Sequence, residues 1–89
     1  MEKNREVKLK KKINVTDLSG EKVMVDFEQG KYFLIKGVGN DIWDMIQEPV
    51  TPEQIIERLL QEYEVTPQEC ENSVMDFLDK MEDLGFIEQ

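Results

Sequence analysis

The sequence predicts an α+β domain in which a three-stranded antiparallel sheet is followed by three helices. Two β-type runs, VMVDF at 23–27 and KYFLIK at 31–36, flank a tight turn at 28–30. Further along, Thr-Pro pairs at 51–52 and 66–67 each precede apolar residues at helical spacing. A sheet of three strands is too small to be stable alone, so we expect the helices to cover one of its faces.

The first strand is expected within residues 7–15, where alternating apolar side chains are diluted by lysines. A turn at 17–20 joins it to the second strand. Alternation divides the second strand into two faces, with Val23, Val25 and Phe27 on one and Met24 and Asp26 on the other.

The third strand carries apolar side chains on both of its faces. Phe33 and Ile35 share one face, and Tyr32 and Leu34 share the opposite one. The pattern indicates that the second face is covered as well, either by the chain itself or by a partner.

A Gly-rich connection at 37–40 opens the first helix, which carries the single Trp. Trp43 lies at helical spacing with Ile42 and Ile46 and is expected in the core. In the second helix, Thr51 is the expected N-cap, and Gln54 occupies the capping-box position three residues later.

The third helix begins with the same device, with Thr66 as N-cap and Glu69 in the capping-box position. Its apolar stripe consists of Cys70, Val74, Phe77, Leu78, Met81 and Leu84. Gly85 stands where a helix C-cap glycine belongs, and residues 86–87 form a short apolar tail.

Length and charge limit the classes of protein to consider. A chain of 89 residues is expected to form a single domain over 1–89, in which 1–12 are a basic N-terminal arm or an edge strand. The net charge is -9, yet residues 1–12 carry +4, so the other 77 residues carry -13. Such an acidic body repels nucleic acid and anionic membranes.

The sequence predicts a cytoplasmic location. The chain has a single cysteine, and it has no apolar segment for export or membrane insertion.

The sequence contains no recognisable catalytic or metal-binding constellation, and no cofactor is expected. Histidine is absent, so a nucleophile would lack its usual base. Cys70 lies on the apolar stripe of a helix, which favours a small buried thiol over a reactive one. The segment Gly37-Val38-Gly39 lacks the remaining residues of a phosphate-binding loop and is expected to be a strand-to-helix joint.

Binding therefore remains the most plausible kind of activity. A sheet edge beside an amphipathic helix can accept an extended peptide as an added strand, and Tyr32 and Leu34 would then form part of a groove wall. Alternatively, both side chains pack under a loop or against the third helix. From the pattern alone, this second alternative is favoured.

Three segments, in this order and spacing, resemble the PqqD-like peptide chaperones, also called RiPP recognition elements. They are VDFEQGKYFLIKGVGNDIWDMI, TPEQIIERLLQEYEV and CENSVMDFLDKMEDLGFIE, and the resemblance runs from about residue 23 to 88. It implies a winged helix-turn-helix-like domain without catalysis of its own. Such a domain binds the leader segment of a ribosomally made precursor peptide and presents it to a modifying enzyme or leader peptidase.

The resemblance also implies a site, in which the leader adds as a strand beside the third strand and packs against the third helix. The positions that correspond in this chain are Lys31, Tyr32, Phe33, Leu34, Ile35 and Lys36 on the strand, and Cys70, Ser73, Val74 and Phe77 on the helix. Lys36 stands where family members often have Asn. The length of the chain and the position of Cys70 are most similar to the separate recognition subunits of lasso-peptide pathways, whose partner is a transglutaminase-like leader peptidase.

Two further interpretations remain open. A winged helix could bind DNA through its third helix, but here that helix would present carboxylates to phosphates. A generic protein-interaction adaptor differs from the peptide chaperone only in its partner.

Overall fold

A computed structural model describes residues 1–10, 14–19, 21–26 and 30–89. The predicted turn at 28–30 and Phe27 therefore lie largely outside the described residues, as do residues 11–13 and Gly20. The elements, in chain order, are β1 (Lys8–Leu9), β2 (Asn14–Leu18), β3 (Glu21–Asp26), β4 (Lys31–Ile35), α1 (Val38–Met45), α2 (Pro52–Glu62), α3 (Pro67–Asp83) and β5 (Ile87–Glu88).

The predicted α+β class is confirmed, since the three-stranded antiparallel sheet has the order β2-β3-β4 and is followed by three helices. In its register Met24 lies opposite Phe33, and Val23 lies opposite Leu34. Strand β4 is an edge strand of the described sheet, and its other edge is not paired with any described strand.

One face of this sheet packs on the core and the other does not. The inward face carries Met24 and Ile35, which are both buried, together with the buried carboxyl group of Asp26. The ring of Phe33, on the same face, meets Phe86 edge-on with centroids 5.5 Å apart. This contact anchors β4 to the segment that follows α3.

Helix α1 begins at the glycine-rich joint, as predicted. Gly37 has a φ of 63°, a conformation that L side chains rarely adopt, and so it allows the chain to turn sharply from β4 into the helix. Ile42, Trp43 and Ile46 are buried in the core, which confirms their predicted location.

Both Thr-Pro helix starts are present. Thr51 and Gln54 form a complete capping box at α2, in which each side chain bonds the backbone of the other residue. At α3 the Thr66 hydroxyl accepts from the backbone N–H of Glu69 at 3.1 Å, but the reciprocal bond from the Glu69 side chain, which would complete the predicted capping box, is not formed. These caps fix where the two longer helices begin.

Helix α3 ends in a Schellman motif around Gly85, whose φ is 81°. The Gly85 N–H donates to the Glu82 carbonyl at 2.9 Å, and the Phe86 N–H donates to the Met81 carbonyl at 3.0 Å. The turn brings Phe86 and Ile87 back into the core, where both are buried.

The structure differs from the prediction at the first strand. Instead of one strand within 7–15, the chain forms β1 and β2, and β1 pairs antiparallel with β5 at the other end of the sequence. Val7 is completely buried, and its N–H donates to the Val50 carbonyl at 2.7 Å. This pairing was not predicted because two-residue strands joined across the whole chain leave no local pattern.

The segment before β1 also lies against the helical half. The backbone carbonyl of Lys3 accepts from the Glu53 N–H at 3.1 Å, and the Lys3 ammonium group pairs with Glu71.

In the described part of the chain, no helix is both long and apolar enough to cross a membrane.

Candidate functional site

A groove of about 470 Å³ runs along the free edge of β4, between this strand and α3. It is lined by Tyr32, Phe33, Leu34, Ile35, Lys36, Val38, Gly39, Ser73, Phe77, Lys80 and Met81. Apolar side chains therefore lie beside a strand edge that no described strand pairs with.

The strand wall of the groove carries two large apolar side chains in solvent. Tyr32 is 78% exposed and Leu34 is 52% exposed. The alternative in which they pack under a loop or against α3 is therefore wrong. Burying such side chains is favourable at about 25 cal/mol per Å², so this exposed surface can contribute to binding an added segment.

The helix wall consists of residues one or two turns apart on a single face of α3. Ser73, Phe77, Lys80 and Met81 follow the i, i+4, i+7, i+8 spacing of such a face. Phe77 is half-buried and Ser73 is exposed, so this wall is accessible from the solvent.

The two walls meet at Gly39, in the first turn of α1. A Cβ atom at this position would lie 3.1 Å from Cγ2 of Ile35 and 3.3 Å from Cε2 of Phe77. Both distances are shorter than ordinary van der Waals contact, so the glycine allows α1 to approach the strand and α3 closely. It thereby shapes the bottom of the groove.

Two of the predicted helix positions do not line this groove. Val74 is completely buried and supports the helix wall from the core side. Cys70 lines a smaller neighbouring cavity of about 160 Å³, together with Val38, Leu59, Tyr63, Val65, Glu69 and Ser73. Since Val38 and Ser73 line both spaces, the small cavity adjoins the groove.

The thiol of Cys70 is in an environment that suppresses its reactivity. Burial raises its pKa, and the Sγ atom lies 3.8 Å from the Ile56 carbonyl oxygen, to which it can donate. A protonated, buried thiol is a poor nucleophile, so the predicted structural role of Cys70 agrees with its surroundings.

At the rim of the small cavity, the Tyr63 hydroxyl donates to the carboxylate of Asp41. This hydrogen bond raises the pKa of Tyr63, and partial burial and the nearby charges of Asp41 and Glu62 add to the effect. The contact joins the end of α2 to the first turn of α1, next to the groove. This hydrogen bond has no local sequence signal, because the two residues are 22 positions apart.

Of the predicted strand positions, Tyr32 to Lys36 all line the groove, whereas Lys31 is exposed at the start of β4. Lys80 and Met81 also line the groove and were not predicted as site residues, although the helical spacing from Ser73 would have identified them. Among the described residues, no group of three Cys, Asp or Glu side chains could hold a metal ion.

Comparisons with known proteins agree with this architecture. The sequence profile of the family described as coenzyme PQQ synthesis protein D (PqqD) matches residues 21–87. A comparison with curated proteins finds no match.

Two solved structures have the same fold as this chain. One is TbiB1 in complex with the TbiA(β) leader peptide, with a TM-score of 0.81 and 27% identity over 91% of this chain and 94% of that chain. The other is lasso peptide synthetase B1 complexed with the leader peptide, with a TM-score of 0.81 and 20% identity over 94% of this chain and 99% of that chain. The family profile covers all of β3, β4 and the three helices, and the chain belongs to the PqqD family.

Proposed function

We propose that this protein is a peptide chaperone that binds the leader segment of a ribosomally synthesised precursor peptide and presents it to a modifying enzyme or leader peptidase. The observation that carries the proposal is the free edge of β4 beside the groove formed with α3. Both structural relatives, TbiB1 and lasso peptide synthetase B1, are complexes with leader peptides, which supports it.

In the proposed complex the leader pairs with β4 as a fourth strand of the sheet. Main-chain hydrogen bonds to the strand edge provide affinity for any extended segment, while alternate side chains enter the groove and provide specificity. The peptide contacts would come from Lys31–Lys36 of the strand and from Ser73 and Phe77 of the helix. Cys70 would contact the leader only at the adjoining small cavity, and Val74 would support the wall.

The protein is proposed to act by binding alone, with the chemistry performed by its partner enzyme. The raised pKa of Cys70 and the apolar groove offer no activated nucleophile. A lasso-peptide pathway is part of the proposal, and the name of lasso peptide synthetase B1 supports it. A leader peptidase as the partner enzyme is what the resemblance of the sequence implies. The single domain over 1–89 and the cytoplasmic location stay predictions from the sequence.

DNA binding is disfavoured by the charge of the helix that would enter the major groove. Helix α3 carries six carboxylates and one lysine, so it would repel the phosphate backbone. A generic protein-interaction adaptor would use the same groove, and only the identity of its ligand would distinguish it from the proposed peptide chaperone.

The decisive experiment uses any short precursor peptide that is found to be encoded next to the gene for this chain. A synthetic leader from such a precursor should bind the full chain in a fluorescence anisotropy titration. The segment that follows the leader in the same precursor should not bind. Adding the full chain should accelerate processing of the precursor by the purified partner enzyme. If neither leader binding nor faster processing is observed, the proposed function is wrong.

A further inference from the structure

The groove carries positive charge although the protein as a whole is acidic. Lys36 lines it from the strand wall and Lys80 from the helix wall, and none of its lining residues is Asp or Glu. The net charge of the chain is -9, so a groove with only basic charges differs sharply from the average surface.

The distribution of charge on α3 shows the same bias. This helix has six acidic residues and one basic residue, and it is the single lysine that faces the groove. None of the six carboxylates of α3 lines the groove itself, although Glu69 lines the adjoining small cavity and Asp76 lies one helical turn before Lys80.

Both lysines are available to a ligand. They are exposed, and neither forms an ion pair with a carboxylate of the described residues, whereas Lys3 and Lys22 do. An acidic ligand group would therefore not have to displace an existing partner within the described part of the chain.

The two lysines lie toward opposite ends of the groove. Phe33 contacts Phe86, just beyond the end of α3, while Ile35 approaches Phe77 across Gly39. The start of β4 therefore faces the C-terminal end of α3, near Lys80, and Lys36 lies toward the other end. A five-residue strand spans about 17 Å, so an extended peptide of this length would reach both charges.

From this arrangement we infer that the groove selects extended peptides whose inward apolar side chains are flanked by Asp or Glu. The apolar centre of the groove binds the anchors, and Lys36 and Lys80 pair with the flanking carboxylates. This inference rests on the proposed function and adds the charge of the ligand to it. The same charges would disfavour basic segments, which the acidic body of the protein would otherwise attract.

A random 12-residue peptide library displayed on phage, selected against the immobilised full chain, tests the inference. Selected sequences should combine alternating apolar residues with Asp or Glu at one or both sides. The double variant Lys36→Glu/Lys80→Glu should keep the apolar pattern and lose the acidic preference. The double variant Lys8→Glu/Arg58→Glu is the matched control, because it makes the same charge change at exposed positions outside the groove and should select the same peptides as the parent chain.

Isolated peptides then give the size of the effect. Replacing one selected acidic residue by its amide should weaken binding about twofold to fivefold, which is the range expected for one exposed ion pair. Binding to the parent chain should also weaken as salt increases. Amide shifts at 32–36 and 73–77 would show that the selected peptides occupy the groove.

The possible failures are distinguishable. Groove-binding peptides without acidic enrichment, or an equal loss of acidic preference in the control variant, would overturn this inference and leave the proposed function intact. No enrichment at all would overturn this inference alone if the leader still binds in the anisotropy titration. Selected peptides that shift amides only on α2 would overturn the proposed binding groove and the inference together.

Discussion

Gly39 and Phe77 are close enough that the first turn of α1 and the groove face of α3 share one contact surface. A Cβ atom on Gly39 would lie 3.3 Å from the Phe77 ring and 3.1 Å from Ile35. The absence of a side chain at position 39 thus brings the strand wall and the helix wall together. Because both neighbours belong to the proposed site, packing and binding are coupled at this point.

Gly39→Ala should therefore destabilise the protein. The added methyl group must displace Ile35, which is buried, or Phe77, and overpacking of this kind costs about 1–3 kcal/mol. The helix propensity of alanine offsets up to about 1 kcal/mol of that cost. Urea unfolding of the variant gives the net change in the free energy of unfolding.

A double-mutant cycle with Phe77→Leu serves as the control for this prediction. The smaller side chain leaves room at the ring edge, so the added methyl group should cost less in the Phe77→Leu background than in the parent chain. Equal costs in both backgrounds, or a Gly39→Ala variant more stable than the parent, would contradict this prediction. Either result would show that Phe77 does not limit how closely α1 can approach α3.

Much of this architecture could be predicted from the sequence, since its signals are local. The caps at Thr51 and Thr66, the C-cap glycine at 85 and the buried Trp43 all occur where their patterns indicate. In each case, the residue type is dictated by backbone bonds or burial within one or two helical turns.

The features that could not be predicted depend on distant contacts. Alternation separated the faces of β3, but it could not show that the face of Met24 and Asp26 is the buried one. The pairing of β1 with β5 joins residues about 80 positions apart. At the site, the strand positions followed from the pattern and the resemblance, whereas the burial of Val74 depends on the rotation of α3, which sequence spacing leaves undetermined.

The N-terminal segment should contribute measurably to stability. Val7 is completely buried and pairs with Val50, so Val7→Ala is expected to cost about 1–3 kcal/mol through lost packing. Lys8→Ala, at an exposed neighbouring position, is the control and should change stability by less than about 0.5 kcal/mol. Thermal unfolding of the two variants makes the comparison, and equal melting temperatures would mean that the segment is not packed.

Tyr63 should titrate at a higher pH than an ordinary phenol, because its hydroxyl donates to the Asp41 carboxylate. A raised pKa in the folded state means that this contact stabilises the fold below about pH 10, the ordinary value, and that the stabilisation is lost as pH rises through the folded-state pKa. In an ultraviolet titration, Tyr63→Phe should remove the later-ionising phenol, and Asp41→Asn should shift it to lower pH. A titration curve of Asp41→Asn identical to that of the parent would contradict the assignment.

Cys70 should react slowly with thiol reagents while the protein is folded. Burial raises its pKa and so lowers the thiolate fraction below that of a free cysteine, and the rate should rise strongly in denaturant. Cys70→Ala should destabilise the fold by about 1 kcal/mol and leave precursor processing intact. A variant that unfolds cooperatively and binds leader but no longer supports processing would instead indicate thiol chemistry.

Binding by strand addition predicts a specific sensitivity of the leader peptide. Proline at a leader position whose N–H faces β4 removes one ladder hydrogen bond, which is worth about 1 kcal/mol, so affinity should fall roughly fivefold to tenfold. Proline at a neighbouring position, where the N–H faces solvent, is the matched control and should have a smaller effect. A proline scan measured by fluorescence anisotropy should therefore alternate with a period of two residues.

The protein should report the same geometry in its amide resonances. Leader binding is expected to shift the amides of residues 32–36 on β4 and 73–77 on α3, because these segments form the two walls of the groove. Residues 57–62 of α2 are the internal reference, since none of them lines the groove. Shifts concentrated on α2, together with a proline scan that shows no alternation, would mean that the leader binds without joining the sheet, even if its affinity is high.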